Sequence, residues 1–156
     1  MDKRKAAVVT FLMAALLVLA ACNSVSAPPE SAAPAAERNA AAGPLPAFAA
    51  NADGFTDISA DQLAAALKQK DFTLVNVHIP YQGELPSTDL FIPFDQITDN
   101  LDKLPGRDAP IVLYCRSGSM STKAARALAA AGYTNVYELD GGFNAWKAAG
   151  YQLVVQ

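Results

Sequence analysis

Cysteine, histidine and tryptophan are scarce in this sequence: its 156 residues include two cysteines, one histidine and one tryptophan. So few cysteines exclude a disulfide framework. With one histidine, no second imidazole or thiol stands ready to complete a metal site. Positive charge is not in excess either, since 12 Lys and Arg face 15 Asp and Glu for a formal net charge of -3, and nothing basic enough to track a nucleic-acid backbone is present. The apolar run Ala6 to Ala21, interrupted by Thr10, is shorter than the roughly 20 residues a membrane-spanning helix needs, so a spanning helix is the weaker reading.

What precedes and follows that run gives it a different meaning. Lys3, Arg4 and Lys5 come before it, "LAAC" (Leu19 to Cys22) closes it, and polar Asn23 and Ser24 follow at once. This is the pattern of a secretion signal. "LAAC" resembles the lipobox of bacterial lipoproteins. That resemblance implies that residues 1–22 end in an acylated Cys22, a lipid anchor and not a thiol, on an exported chain facing the periplasm. The alternative is an ordinary signal peptide cut after a small residue. Residues 23–52 are rich in Ala, Pro and Ser with no period of 2 or 3.6, and Pro28, Pro29, Pro34, Pro44 and Pro46 interrupt any long helix; they read as a tether.

Residues 53–156 are enough for one domain with a single core. Ser59 followed by Gln62 is a capping-box pattern, with Leu63, Ala64 and Leu67 on one face, and predicts a helix from about Ala60 to Gln69. "FTLVNV" (Phe72 to Val77) and "IVLYC" (Ile111 to Cys115) are short, nearly continuous apolar runs, as in parallel strands covered on both faces. A short helix is expected around Asp95 to Leu101 and a stronger one from Ser121 to Ala131, closed by Gly132. Then come the strand "NVYEL", the pair Gly141-Gly142, and a short helix carrying Trp146. Strands alternating with helices predict an α/β sandwich, its mainly parallel sheet covered by helices on both faces.

In such sheets ligands bind beyond the carboxyl ends of the strands, and Cys115 is at that place. The "RSGSMS" behind it (Arg116, Ser117, Gly118, Ser119, Met120, Ser121) is built of small residues that let successive backbone N–H groups turn inward, and the helix N-terminus adds its positive end. The arrangement is an anion cradle around a sulfur, and the thiolate is the nucleophilic form of cysteine. With Cys22 acylated, Cys115 has no disulfide partner in the chain.

"LYCRSGSMS" resembles the active-site loop of rhodanese-like domains, usually C-R-S-G-x-R-S, and "GYTNVYELDGGFNAWKAAGYQLV" (Gly132 to Val154) resembles their carboxyl-terminal signature, with Gly141, Gly142 and Trp146 as its anchors. The similarity extends from about Phe55 to Val155. It implies a rhodanese-like sandwich and sulfur transfer without a cofactor. Cys115 takes sulfane sulfur from a small anion such as thiosulfate, holds it as a persulfide, and passes it to an unidentified thiol or protein acceptor. The amides of residues 116–121 would hold the anion, the hydroxyls of Ser117, Ser119 and Ser121 would add donors, and Arg116 would attract it.

The departures are specific. Met120 stands where the family loop has arginine, the first signature strand ends Asn76-Val77-His78 where Asp-Val-Arg is common, and "GELPSTDLFIP" (Gly83 to Pro93) replaces the usual segment. Cysteine phosphatases need an arginine six positions after the nucleophile, where this chain has Ser121, so phosphoryl chemistry is disfavoured; arsenate reduction is a minor alternative. Two further classes stay open, a non-catalytic binding module and a thiol redox protein. His78 is expected to be a hydrogen-bonding surrogate for the missing arginine. Glu84 and Asp89 either face the site's mouth or sit on a solvated loop.

Overall fold

The computed structural model describes residues 44–154. The expected signal segment 1–22 with Cys22, and the tether up to residue 43, lie outside the described residues. Contacts of the domain begin before Asp53: Leu45 packs against the core, the Asn51 amide donates to the Phe55 carbonyl at 2.7 Å, and Asn51 Nδ2 donates to Asp57 Oδ2 at 3.0 Å.

Among the described residues, strands β1 (Thr56–Ile58), β2 (Thr73–Asn76), β3 (Leu90–Phe91), β4 (Ile111–Tyr114) and β5 (Val136–Leu139) form one sheet in the order β1-β5-β4-β2-β3. Every pairing is parallel. The central strand explains why this segment had to be apolar throughout. Ile111 and Leu113, with Cys115 beyond them, join Val75, Val77, Ala124, Ala125 and Leu128 on one face, while Val112 and Tyr114 join Leu63, Ala66, Phe143 and Trp146 on the other. Side chains alternate across a strand, so burial on both faces demands an apolar residue at every position. β1 and β3, of three and two residues, both lie at edges and are too short to show a period.

Among the described residues, three α-helices cover the sheet. Helix α1 (Ala60–Ala66) begins with the predicted capping box, the Gln62 amide donating to Ser59 Oγ at 3.2 Å and the Ser59 amide to Gln62 Oε1 at 2.8 Å, and runs on as a 3-10 turn to Gln69. Helix α2 (Ser119–Ala130) starts two residues earlier than expected, because Gly118, at φ +91, already turns the chain into it. Gly132, at φ +88, reverses its far end, with the Tyr133 amide returning to the Leu128 carbonyl at 3.0 Å. Helix α3 (Gly142–Ala148) carries Trp146 into the core, as expected, and its Nε1–H donates to the Gln152 carbonyl at 2.9 Å. The helix expected near Asp95 to Leu101 is a 3-10 segment, Phe94–Lys103, broken at Asn100. The α/β sandwich read from the sequence is the observed fold.

The long loop between β2 and β3 is pinned to the sheet from beneath. Buried Tyr114 accepts the Leu85 amide at 3.0 Å and shares a proton with Thr88 Oγ1 at 2.6 Å. Burial pushes its phenol well above the usual tyrosine range, so it stays a donor at any ordinary pH.

Candidate active site

Cys115 follows the last residue of β4 and is 1% exposed. A glycine from a distant part of the chain fixes the loop that begins there. Gly142, at φ +52, opens α3 so close to the loop that a Cβ on it would lie 2.1 Å from the Cys115 carbonyl oxygen. That approach lets the next two amides donate into the loop, Phe143 N–H to the Cys115 carbonyl at 2.9 Å and Asn144 N–H to the Arg116 carbonyl at 3.0 Å. Both carbonyls are thereby turned toward α3. The carboxyl-terminal signature is a clamp on the backbone of Cys115 and Arg116.

Beneath the loop lies a buried polar cluster. The Ser121 hydroxyl is 3.3 Å from Cys115 Sγ and 3.0 Å from the Gly118 carbonyl, and it also forms a short hydrogen bond with Glu138 Oε1. Ser121 is 0% and Glu138 2% exposed. Glu138 pairs in register with Leu113 of β4 on one side and with Asp57 of β1 on the other, which aims its side chain at the face where Cys115 and α2 meet. Desolvation pushes its carboxyl up to about 7; the Ser121 bond opposes that shift, and the charges of Asp57 and Asp140 add to it. Burial disfavours a carboxylate that has no cation to pair with.

A rhodanese-like domain model matches residues 59–149. This chain belongs to the rhodanese-like domain family. It is 33% identical over 102 residues to a sulfurtransferase from Allochromatium vinosum, covering 63% of this chain and 94% of that one. It is also 33% identical to the thiosulfate sulfurtransferase GlpE of Pseudoalteromonas translucida, covering 61% and 91%. Among solved structures, a rhodanese-like domain protein from Staphylococcus aureus superposes with a TM-score of 0.52 at 29% identity, over 58% of this chain and 90% of that one. Sulfurtransferase chemistry is supported at the level of the family.

The rhodanese-like loop sorts the expected site residues. Arg116, Ser117 and Ser119 are exposed, and of the three serines it is Ser121 that is brought to the sulfur. Gly118 is buried. Met120 is half-buried and packs against the first core face, so its side chain serves the core and supplies no donor for an anion. Phe143, Asn144 and Glu138 were not singled out from the sequence. For Glu138 a signal existed: an acid inside a strand otherwise made of Val, Tyr and Leu, whose four residues are all buried.

The remaining departures are structural. Asn76 holds the β2 end, its Nδ2 donating to the Gly83 carbonyl at 3.1 Å and its Oδ1 accepting the His78 amide at 3.0 Å. His78 is not the hydrogen-bonding surrogate expected of it. Its ring is 3% exposed, stands edge-on to Phe143 at 5.6 Å, and neither ring nitrogen has a partner among the described residues; it fills space beside the clamp. Asp89 faces the sheet edge, accepting the Leu74 amide at 2.7 Å and Lys70 Nζ at 2.6 Å. Glu84 lines a cleft of about 460 Å³ with Tyr81, Thr88, Asp89, Leu90 and Phe91, which includes no residue of the 115–121 loop.

Proposed function

We propose that this chain is a sulfurtransferase in which Cys115 carries sulfane sulfur. The Cys115 thiolate attacks the outer sulfur of an anionic donor; for thiosulfate the S–S bond breaks, sulfite leaves with the electron pair, and a Cys115 persulfide remains. A thiophilic acceptor then attacks the persulfide's terminal sulfur and restores the thiolate. No cofactor enters this scheme. The observation that carries the reading is a free cysteine at the carboxyl end of the central strand with a buried hydroxyl 3.3 Å from its sulfur, in a loop that opens a twelve-residue helix. The amides of Arg116 to Ser121 and the helix's positive end would stabilise the persulfide anion.

Mass spectrometry of the full chain after incubation with thiosulfate or polysulfide tests this. A reducible gain of one sulfur on the Cys115 peptide, missing in Cys115→Ala, is expected. The yield from polysulfide should exceed that from thiosulfate, because Met120 provides no guanidinium fork for the sulfonate oxygens. No adduct from either donor would defeat the reading and leave a binding module of the same fold.

We also propose that the chain is exported and held at a membrane, facing the periplasm, by acylated Cys22. The support is Lys3, Arg4 and Lys5 ahead of the apolar run and its closing "LAAC". Multiple acyl chains on one residue give durable attachment, at about 0.8 kcal/mol per buried CH₂. Metabolic labelling with a fatty acid should tag the chain, and Cys22→Ser should abolish both the tag and membrane recovery; a labelled Cys22→Ser chain would refute the anchor.

A further inference from the structure

The cluster under the loop contains fewer protons than its contacts require. Ser121 Oγ touches Cys115 Sγ, the Gly118 carbonyl oxygen and Glu138 Oε1, yet a serine hydroxyl has one proton to donate. The Gly118 carbonyl can only accept. The contacts to sulfur and to the carboxyl each need a proton between the two atoms, so at least one of Cys115 and Glu138 must supply its own. If Ser121 donates to the sulfur, Glu138 must be protonated and donate to Ser121. If Ser121 donates to Glu138, Cys115 must be a thiol and donate to Ser121. Should Ser121 turn to Gly118, both must be protonated. The one arrangement that contains a hydrogen-bonded thiolate also contains a neutral Glu138.

We propose that Glu138 is a positioning residue for the Cys115 proton, accepting it through Ser121 when the thiolate forms. This rests on the reading of Cys115 as the working nucleophile, and deepens it. The step balances without any further reactant. The Cys115 S–H proton passes to Ser121 Oγ as the Ser121 O–H proton passes to Glu138 Oε1, giving a thiolate, an intact serine and a carboxylic acid.

The surroundings suit a carboxyl that takes up a proton. Glu138 lies between β4 and β1, both its register partners being strand residues. The groups that face it among the described residues are Leu113 on the β4 side, Ser121 from α2 with the Cys115 sulfur beyond it, Asp57 from β1, and Asp140 just past the end of its own strand. Two of these are acids and none is a cation, so an ionised Glu138 holds out for a proton more strongly than an ordinary carboxylate does. A neutral acid behind Ser121 keeps the hydroxyl proton directed at sulfur, whereas an ionised one would draw that proton away. Two groups that share a proton titrate as a pair and not singly.

The test is alkylation of Cys115 by iodoacetamide in the full chain, read on the Cys115 peptide across a range of pH. In the unaltered chain the rate is expected to rise in two steps, one for each proton of the pair. In Glu138→Gln, whose amide donates to Ser121 at every pH, a single step is expected. Superposable profiles from two folded proteins would overturn the proposal. Should Glu138→Gln fail to fold, the Glu138 carboxyl signal in a 13C spectrum decides instead. Coupling is reciprocal, so Cys115→Ala is expected to move the midpoint of Glu138 by about one pH unit, and an unmoved midpoint would overturn it. The sulfur-transfer reading fails separately: coupled titration with no persulfide leaves this inference standing, and persulfide with uncoupled titration does the reverse.

Discussion

Replacing Gly142 by alanine is expected to destabilise the domain by about 4 kcal/mol or more, at the upper end of what single substitutions do, and to abolish reactivity at Cys115. Two effects combine. The residue has φ +52, where a side chain is strained by about 1–2 kcal/mol. The new Cβ would also sit 2.1 Å from the Cys115 oxygen and 2.9 Å from the carbonyl carbons of Cys115 and Arg116. These are backbone atoms, so relief requires α3 to leave the loop and the Phe143 and Asn144 bonds to break. Two other glycines calibrate the result. Gly150 has φ +89, and a Cβ added there would meet nothing within 4 Å, so its alanine variant should show the strain alone. Gly141→Ala, with φ +70 and Ala145 Cβ at 2.8 Å, should fall between them. Urea denaturation of the three variants measures the series, and equal losses at Gly142 and Gly150 would mean that the clamp contributes nothing.

Stability should also fall as pH rises, the reverse of the usual behaviour of an acidic group. Glu138 ionises with an ordinary value of 4.5 when unfolded and of about 7 in the fold. Between those two values the folded state holds a proton that the unfolded state has released, so raising pH favours unfolding. The contribution is fully present below 4.5 and is lost by the time pH passes 7. At 1.36 kcal/mol per unit this amounts to about 3 kcal/mol. Glu138→Gln has no such proton to lose. Denaturant midpoints of the two chains at about pH 5 and about pH 8 should therefore diverge, the unaltered chain weakening relative to the variant. Parallel changes in both would show that Glu138 ionises normally.

The elements legible in the sequence are those whose burial left a pattern long enough to read. β4 is apolar at all four positions because both faces are covered, and Ser59 with Gln62 announces α1 through groups that bond to each other locally. Cys115 was legible for the same reason, as a chemical exception at a strand end followed by small residues. Residues whose roles depend on distant partners were not. Glu138 looks like any strand residue until β4 and α2 bring Cys115 and Ser121 against it. Phe143 and Asn144 act through backbone amides, which leave no trace in side-chain identity. His78 misled because a residue standing where an arginine is usual suggests a shared hydrogen-bonding role, whereas here the ring packs on Phe143.

The strand order also sets when this protein can become itself. β1 is made before the other four strands, yet its neighbour in the sheet is β5, so a growing chain has no partner for this strand until residue 139 has left the ribosome. The clamp on Cys115 arrives later still, with Phe143 and Asn144. Pairing over such separations is slow compared with local contacts. A nascent or truncated chain ending before α3 would therefore contain the thiol without the site, and β1 waits unpaired through nearly all of the chain's synthesis.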